Sequence, residues 1–91
     1  MAEKTMLTKH PLGKRGRNIS KQKYETVKRA MISALRSREL THAELTGALV
    51  ERLEGKFEGN ISWYGETVKL DLEARKTIQR TTSRPQRYRL R

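Results

Sequence analysis

From residue 24 onward, apolar side chains recur in steps of three and four: Tyr24, Val27, Met31, Ala34 and Leu35. Such spacing lines one face of a helix. Ser20, just ahead of it, is a good N-cap, so a first helix is expected from Ser20 to about Ser37. Leu40 follows in a short extended piece. Thr41-His42-Ala43-Glu44 then has the Thr-x-x-Glu form in which two side chains satisfy free amides at a helix start. Leu45, Leu49 and Leu53, with Ala48 beside them, give this second helix its buried stripe, and Gly55 is placed to end it in a left-handed turn. Asn60 or Ser62 can cap a third helix running to about Arg75. At roughly 100° per residue, Ile61, Tyr64, Val68 and Leu72 share one side of that helix, and Trp63, Thr67, Leu70 and Ala74 share another. Only a narrow strip remains for Ser62, Glu66, Lys69 and Glu73.

After Lys76 the period changes to two, which reads as a strand over Thr77 to Thr81, a turn containing Pro85, and a strand over Arg87 to Arg91. Ile78, Tyr88 and Leu90 then face the helices, and Arg87, Arg89 and Arg91 face solvent. Leu49 and Leu72, central in their stripes, are expected core residues. Residues 1 to 18 show no sustained apolar period and contain His10-Pro11, Gly13 and Gly16, so they read as a flexible arm. The expected organisation is a flexible basic arm over residues 1–19 and one folded domain over 20–91. A chain of 91 residues has no room for a second core.

Helix, short strand, helix, turn, helix, hairpin is the order of a winged helix-turn-helix domain, and residues 20–91 resemble one throughout. The stretch Val68-Lys69-Leu70-Asp71-Leu72-Glu73-Ala74-Arg75-Lys76-Thr77-Ile78 is similar to the segment linking recognition helix to wing in bacterial members. Those often carry glycine where this chain has Lys76, so the helix here ends without the residue that most easily turns left-handed. Ser62-Trp63-Tyr64 resembles the opening of helix three in small uncharacterised bacterial winged-helix proteins. The fold class implied is α+β, mainly α, with three helices, a small antiparallel sheet and a C-terminal β-hairpin wing.

The formal charge of +11 is segregated along the chain. Residues 1–23 hold seven bases and one acid, residues 24–75 eight and nine, and residues 76–91 six and none. Positive charge gathered at two ends makes a local potential that attracts phosphates and releases their counterions. Nucleic acid is the expected partner, with DNA ahead of RNA: Tyr88 is the sole aromatic of the hairpin and its phase points inward, leaving no stacking platform. The resemblance puts helix three in the major groove and so nominates Ser62 and Lys69, with Glu66 between them. That helix is acidic from Ile61 to Arg75, which disfavours close approach to phosphates. Arg80, Arg84 and Arg87 around the wing tip are expected on the backbone, as are Lys14, Arg15 and Arg17 of the arm, where Arg15-Gly16-Arg17 resembles the middle of a minor-groove hook. The reading is a small DNA-binding protein or transcriptional regulator. A winged-helix adaptor for protein partners, or an RNA- or ribosome-associated protein, are the competing readings.

Trp63 and Leu70 offer a homodimer surface unless their stripe packs on helix two. No cysteine is present, which removes disulfides, thiolate catalysis and the usual zinc-finger ligands. His10 and His42 have no metal-ligand spacing to another ligand, and phosphate-loop glycines are absent, so neither enzyme activity nor a metal or cofactor is expected. No apolar run exceeds Ala48-Leu49-Val50, which excludes a transmembrane helix and a signal peptide from the sequence. The expected location is cytoplasmic, with no membrane partner.

Overall fold

In the computed structural model, which describes residues 3–91, three helices pack with two small antiparallel sheets in an α+β arrangement. Helix α1 spans Lys21–Leu35. Its start is fixed by the Ser20 hydroxyl, which accepts the Lys23 amide at 3.2 Å. Strand β3 is the dipeptide Leu40–Thr41, and helix α2 covers His42–Leu53. Both bonds of the capping box form: the Glu44 amide donates to the Thr41 hydroxyl at 3.2 Å, and the Thr41 amide donates to the Glu44 carboxylate at 2.9 Å. Each satisfies an amide that the helix itself leaves open. Gly55, at φ 78°, turns the chain out of α2. Helix α3 spans Ile61–Ala74, and of the two expected caps Asn60 serves, taking the Trp63 amide at 2.9 Å.

Strands β4 (Ile78–Arg80) and β5 (Arg87–Leu90) form the C-terminal hairpin, and β3 joins it on the far side of β5, in the order β3-β5-β4. Leu40 lies opposite Tyr88 and Ile78 opposite Leu90. The phase expected along the hairpin holds, since Ile78 and Tyr88 are buried while Arg89 is exposed. The core collects Val27, Met31 and Leu35 of α1, Leu45 and Leu49 of α2, and Val68 and Leu72 of α3, with Leu40, Ile78 and Tyr88 closing it from the sheet.

The N-terminal segment differs from expectation. Strands β1 (Thr5–Leu7) and β2 (Asn18–Ser20) pair antiparallel, with Met6 opposite Ile19. Ile19 is buried in the core and Met6 packs against it. The folded unit therefore takes in residues 3–19, and the boundary expected at residue 20 falls inside it. The two anchoring apolar residues lie too far apart in sequence to show a period. Gly16 is needed for this pairing, because a Cβ there would run into the Thr8 backbone carbonyl.

A second difference concerns α3. Its expected second apolar stripe is not packed throughout: Thr67 is buried, Leu70 and Ala74 are half-buried, and Trp63 is 43% exposed. Instead Lys69 and Asp71 are buried, at 4% and 0% exposure. The N-terminal loop and the sheet cover the polar side of the helix.

Candidate nucleic-acid interface

Ten residues, Thr8 to Arg17, connect β1 to β2. Two bonds zip the base of this loop: the Thr8 amide donates to the Arg17 carbonyl at 2.8 Å, and the Arg17 amide donates to the Thr8 hydroxyl at 2.8 Å. A third ties it to the domain, as the Lys9 amide donates to Asp71 Oδ1 at 2.8 Å. Asp71 is the junction of three elements. It also takes the Tyr24 hydroxyl of α1 at 2.5 Å and Arg75 Nε at 2.9 and 3.0 Å. Burial, followed by the hydrogen bond to Asp71, pushes the Tyr24 phenol well above its ordinary value. The same carboxylate raises the Arg75 guanidinium, against the opposing effect of burial. Beyond that junction Lys14, Arg15 and Arg17 are exposed and make no ion pair among the described residues. No acid occurs between Lys4 and Lys21 to offset them.

The other nominated cations are held differently. Lys69, expected on an outward strip, points inward: its Nζ lies 3.0 Å from Glu66 Oε2, 2.8 Å from His42 Nδ1 and 3.2 Å from the Tyr88 hydroxyl, and 4.4 Å from the centre of the Tyr88 ring. Three side chains, Glu66, His42 and Tyr88, surround this ammonium and leave it no direction in which to meet a base edge. Arg80 Nε bonds Glu73 Oε2 at 2.6 Å, which raises the guanidinium further although burial opposes it. Arg87 Nη1 stands 3.7 Å from Glu44 Oε1. Glu44 itself is held below its ordinary value, first by the Thr41 backbone amide and to a smaller degree by the cations of Arg87 and Arg38. Arg84, in the turn between β4 and β5, is exposed and without an ion pair among the described residues. Ser62 is exposed in the first turn of α3.

Asp71 and Glu73 project roughly 200° apart around α3, since each residue advances about 100°. The β1–β2 loop on Asp71 and the β4–β5 hairpin on Glu73 therefore flank the end of α3 from opposite sides. Between them the outward strip holds Trp63, Glu66, Leu70 and Ala74. It carries no cation and no amide side chain.

The family of unknown function DUF6958 matches residues 5–88. The chain belongs to that family. No curated protein and no solved structure matches it. The span shared with DUF6958 opens on β1 and closes in β5, so the N-terminal hairpin lies within it together with the three helices and β4. Among the described residues of this DUF6958 protein no helix is long and apolar enough to cross a membrane, and no three His, Asp or Glu side chains converge as metal ligands.

Sequence reasoning named the exposed cations of the β1–β2 loop and of the β4–β5 turn, and it missed the Asp71 junction. A lone Asp in an amphipathic helix looks like a solvated residue. The available signal was the coincidence of Tyr24 on the buried stripe of α1 with Asp71 one position before the buried Leu72, because a buried tyrosine hydroxyl must find a partner.

Proposed function

We propose that this protein binds nucleic acid, duplex DNA ahead of RNA, by gripping phosphates with the cations of the β1–β2 loop and of the wing tip. The observation that carries the reading is the set Lys14, Arg15 and Arg17. These are three exposed cations with no ion pair among the described residues, on a loop braced against the core. Cations already paired within a protein give up that pairing when they meet a phosphate, whereas unpaired ones gain the full counterion release. The order α1-β3-α2-α3-β4-β5 supports a winged helix-turn-helix reading, with β4 and β5 as the wing. Cationic elements on both sides of α3 suit a groove bounded by two phosphate backbones. With Lys69 turned inward, hydrogen-bonded base reading by α3 has few donors, so the expected mode is weakly sequence-dependent. Duplex is favoured over single strands because Tyr88 is buried and offers no stacking surface on the sheet. A small DNA-associated regulator acting in the cytoplasm fits these properties.

The test is fluorescence anisotropy on duplex DNA and on an RNA hairpin over a salt series. Changing Lys14, Arg15 and Arg17 to Ala removes up to three phosphate contacts. The slope of log affinity against log salt on DNA should then shrink by as much as about 2.7, at about 0.9 per contact. The corresponding wing variant, Arg80, Arg84 and Arg87 to Ala, should lose less, because Arg80 and Arg87 are already engaged with Glu73 and Glu44. An unchanged slope in the loop variant removes the loop from the site. An adaptor for protein partners keeps one supporting observation, the exposed Trp63 on the outward strip beside Leu70, which would also serve a homodimer. Absence of salt-dependent binding to either nucleic acid would favour it.

A further inference from the structure

We infer that Leu12, at the apex of the β1–β2 loop, is an apolar wedge that enters the minor groove of duplex DNA and partly unstacks a base step. This deepens the phosphate-binding reading and rests on it. Of the three large hydrophobic side chains left exposed among the described residues, two, Leu7 at 60% and Leu12 at 76%, belong to this one hairpin. Isolated exposed leucines are ordinary, but this apex is built. Gly13 donates its amide to the His10 carbonyl at 3.0 Å, closing a four-residue turn with Pro11 and Leu12 as its central pair. Proline at the second position of such a turn already has the backbone angle the turn requires. The Leu12 amide donates to His10 Nδ1 at 3.1 Å, so the neighbouring polar groups satisfy one another and the apex presents hydrocarbon.

A wedge needs a firm base and flanking positive charge. The Thr8–Arg17 pair and the Lys9–Asp71 bond hold the base. Lys14, Arg15 and Arg17 follow the apex on the returning limb. Leu12 is three positions beyond Lys9, a reach of at most about 11 Å in extended chain, against a minor groove about 7.5 Å deep. Apolar side chains such as leucine inserted between base steps kink a duplex by about 20 to 90° towards the major groove. The cost falls least at flexible pyrimidine–purine steps.

The experiment uses the full chain and a short duplex with one central TA step, 2-aminopurine beside that step and a dye at each end. Wild-type protein should raise the 2-aminopurine emission severalfold and shorten the end-to-end distance. Leu12→Ser, at an exposed position that leaves the core intact, should keep the salt slope and lose both signals. The triple Lys14, Arg15 and Arg17 to Ala variant should lose slope instead. Equal binding of wild type and Leu12→Ser with no rise in emission from either overturns the wedge and leaves phosphate binding standing. Absence of salt-dependent duplex binding by wild type overturns both. Binding to phosphatidylserine-containing vesicles that depends on Leu12, without unstacking of the duplex, overturns the wedge and assigns the apex to lipid.

Discussion

Replacing Asp71 with Ala tests whether one carboxylate joins the N-terminal hairpin to the helices. The side chain is fully buried and accepts from Lys9, Tyr24 and Arg75. Removing one partner of a buried ion pair costs about 3 to 5 kcal/mol, mostly from the charge left behind. Here the side chain left behind, Arg75, is 37% exposed and can turn to water, which brings the figure to the lower end. What remains is the Tyr24 hydroxyl, stranded at about 1 to 3 kcal/mol, and the lost bond from Lys9. A total near 3 kcal/mol is a large part of the stability of a domain of this size, roughly 5 to 14 kcal/mol. The melting temperature should fall by about 12 to 24 °C, at about 4 to 8 °C per kcal/mol. Asp71→Asn separates the contributions, because its carbonyl still accepts from Lys9 and its amide can donate to the Tyr24 oxygen. That variant should lose about 1 to 2 kcal/mol, chiefly the charge-assisted bonds to Arg75. Thermal melts read the totals, and hydrogen exchange at the Lys9 amide reads the junction: slow in wild type and Asp71→Asn, fast in Asp71→Ala. An Ala variant that melts within about 4 °C of wild type with the Lys9 amide still protected would refute the junction.

Two further outcomes follow from local geometry. Lys76 has φ 64° and ends α3 with the Thr77 amide on the Leu72 carbonyl and its own amide on the Glu73 carbonyl, so Lys76→Gly should relieve left-handed strain of about 1 to 2 kcal/mol, less the flexibility glycine adds to the unfolded chain. A net rise in stability of up to about 1 kcal/mol in urea unfolding is expected, and a fall would mean that Lys76 makes a contact the strain argument omits. Tyr24 has a raised phenol pKa, so the folded state holds its proton more tightly than the unfolded state does. Its contribution is fully present below the unfolded value of about 10 and is lost as pH rises above it; melts between pH 8 and 11 should show a steeper alkaline loss in wild type than in Tyr24→Phe, and parallel curves would contradict the shift.

The parts of this fold legible in the sequence are those whose signals are local. Thr41 and Glu44 stand three apart and cap the same helix end, and the stripe Leu45, Leu49, Leu53 repeats every four residues, so both survive inspection without a partner. The left-handed position at Lys76 was marked by the glycine that the winged-helix proteins it resembles in sequence often carry there, and the chain adopts the conformation without the glycine. The β1–β2 hairpin had no such signal. Its two anchors, Met6 and Ile19, each mean little until the other is known to lie opposite. Three-residue strands are also too short for an alternation to stand out from chance.

The same distinction explains why the expected reading strip of α3 misled. A helical wheel reports which residues share a side, but it does not say what covers that side. Ser62, Glu66, Lys69 and Glu73 do lie together, and the sheet lies over the C-terminal part of their strip, placing Tyr88 on Lys69 and Arg80 on Glu73. The acidity counted along α3 is then largely internal. Asp71 and Glu73 spend their charge on Arg75 and Arg80, and Glu66 spends its own on Lys69. Neither the acids nor the lysine of this helix project a full charge toward a partner. Of the cations nominated for phosphate, those with no ion pair among the described residues are Lys14, Arg15 and Arg17 of the loop and Arg84 at the turn of the C-terminal hairpin. For that reason a salt-slope comparison between variants of the β1–β2 loop and of the C-terminal hairpin is more informative than any substitution in α3.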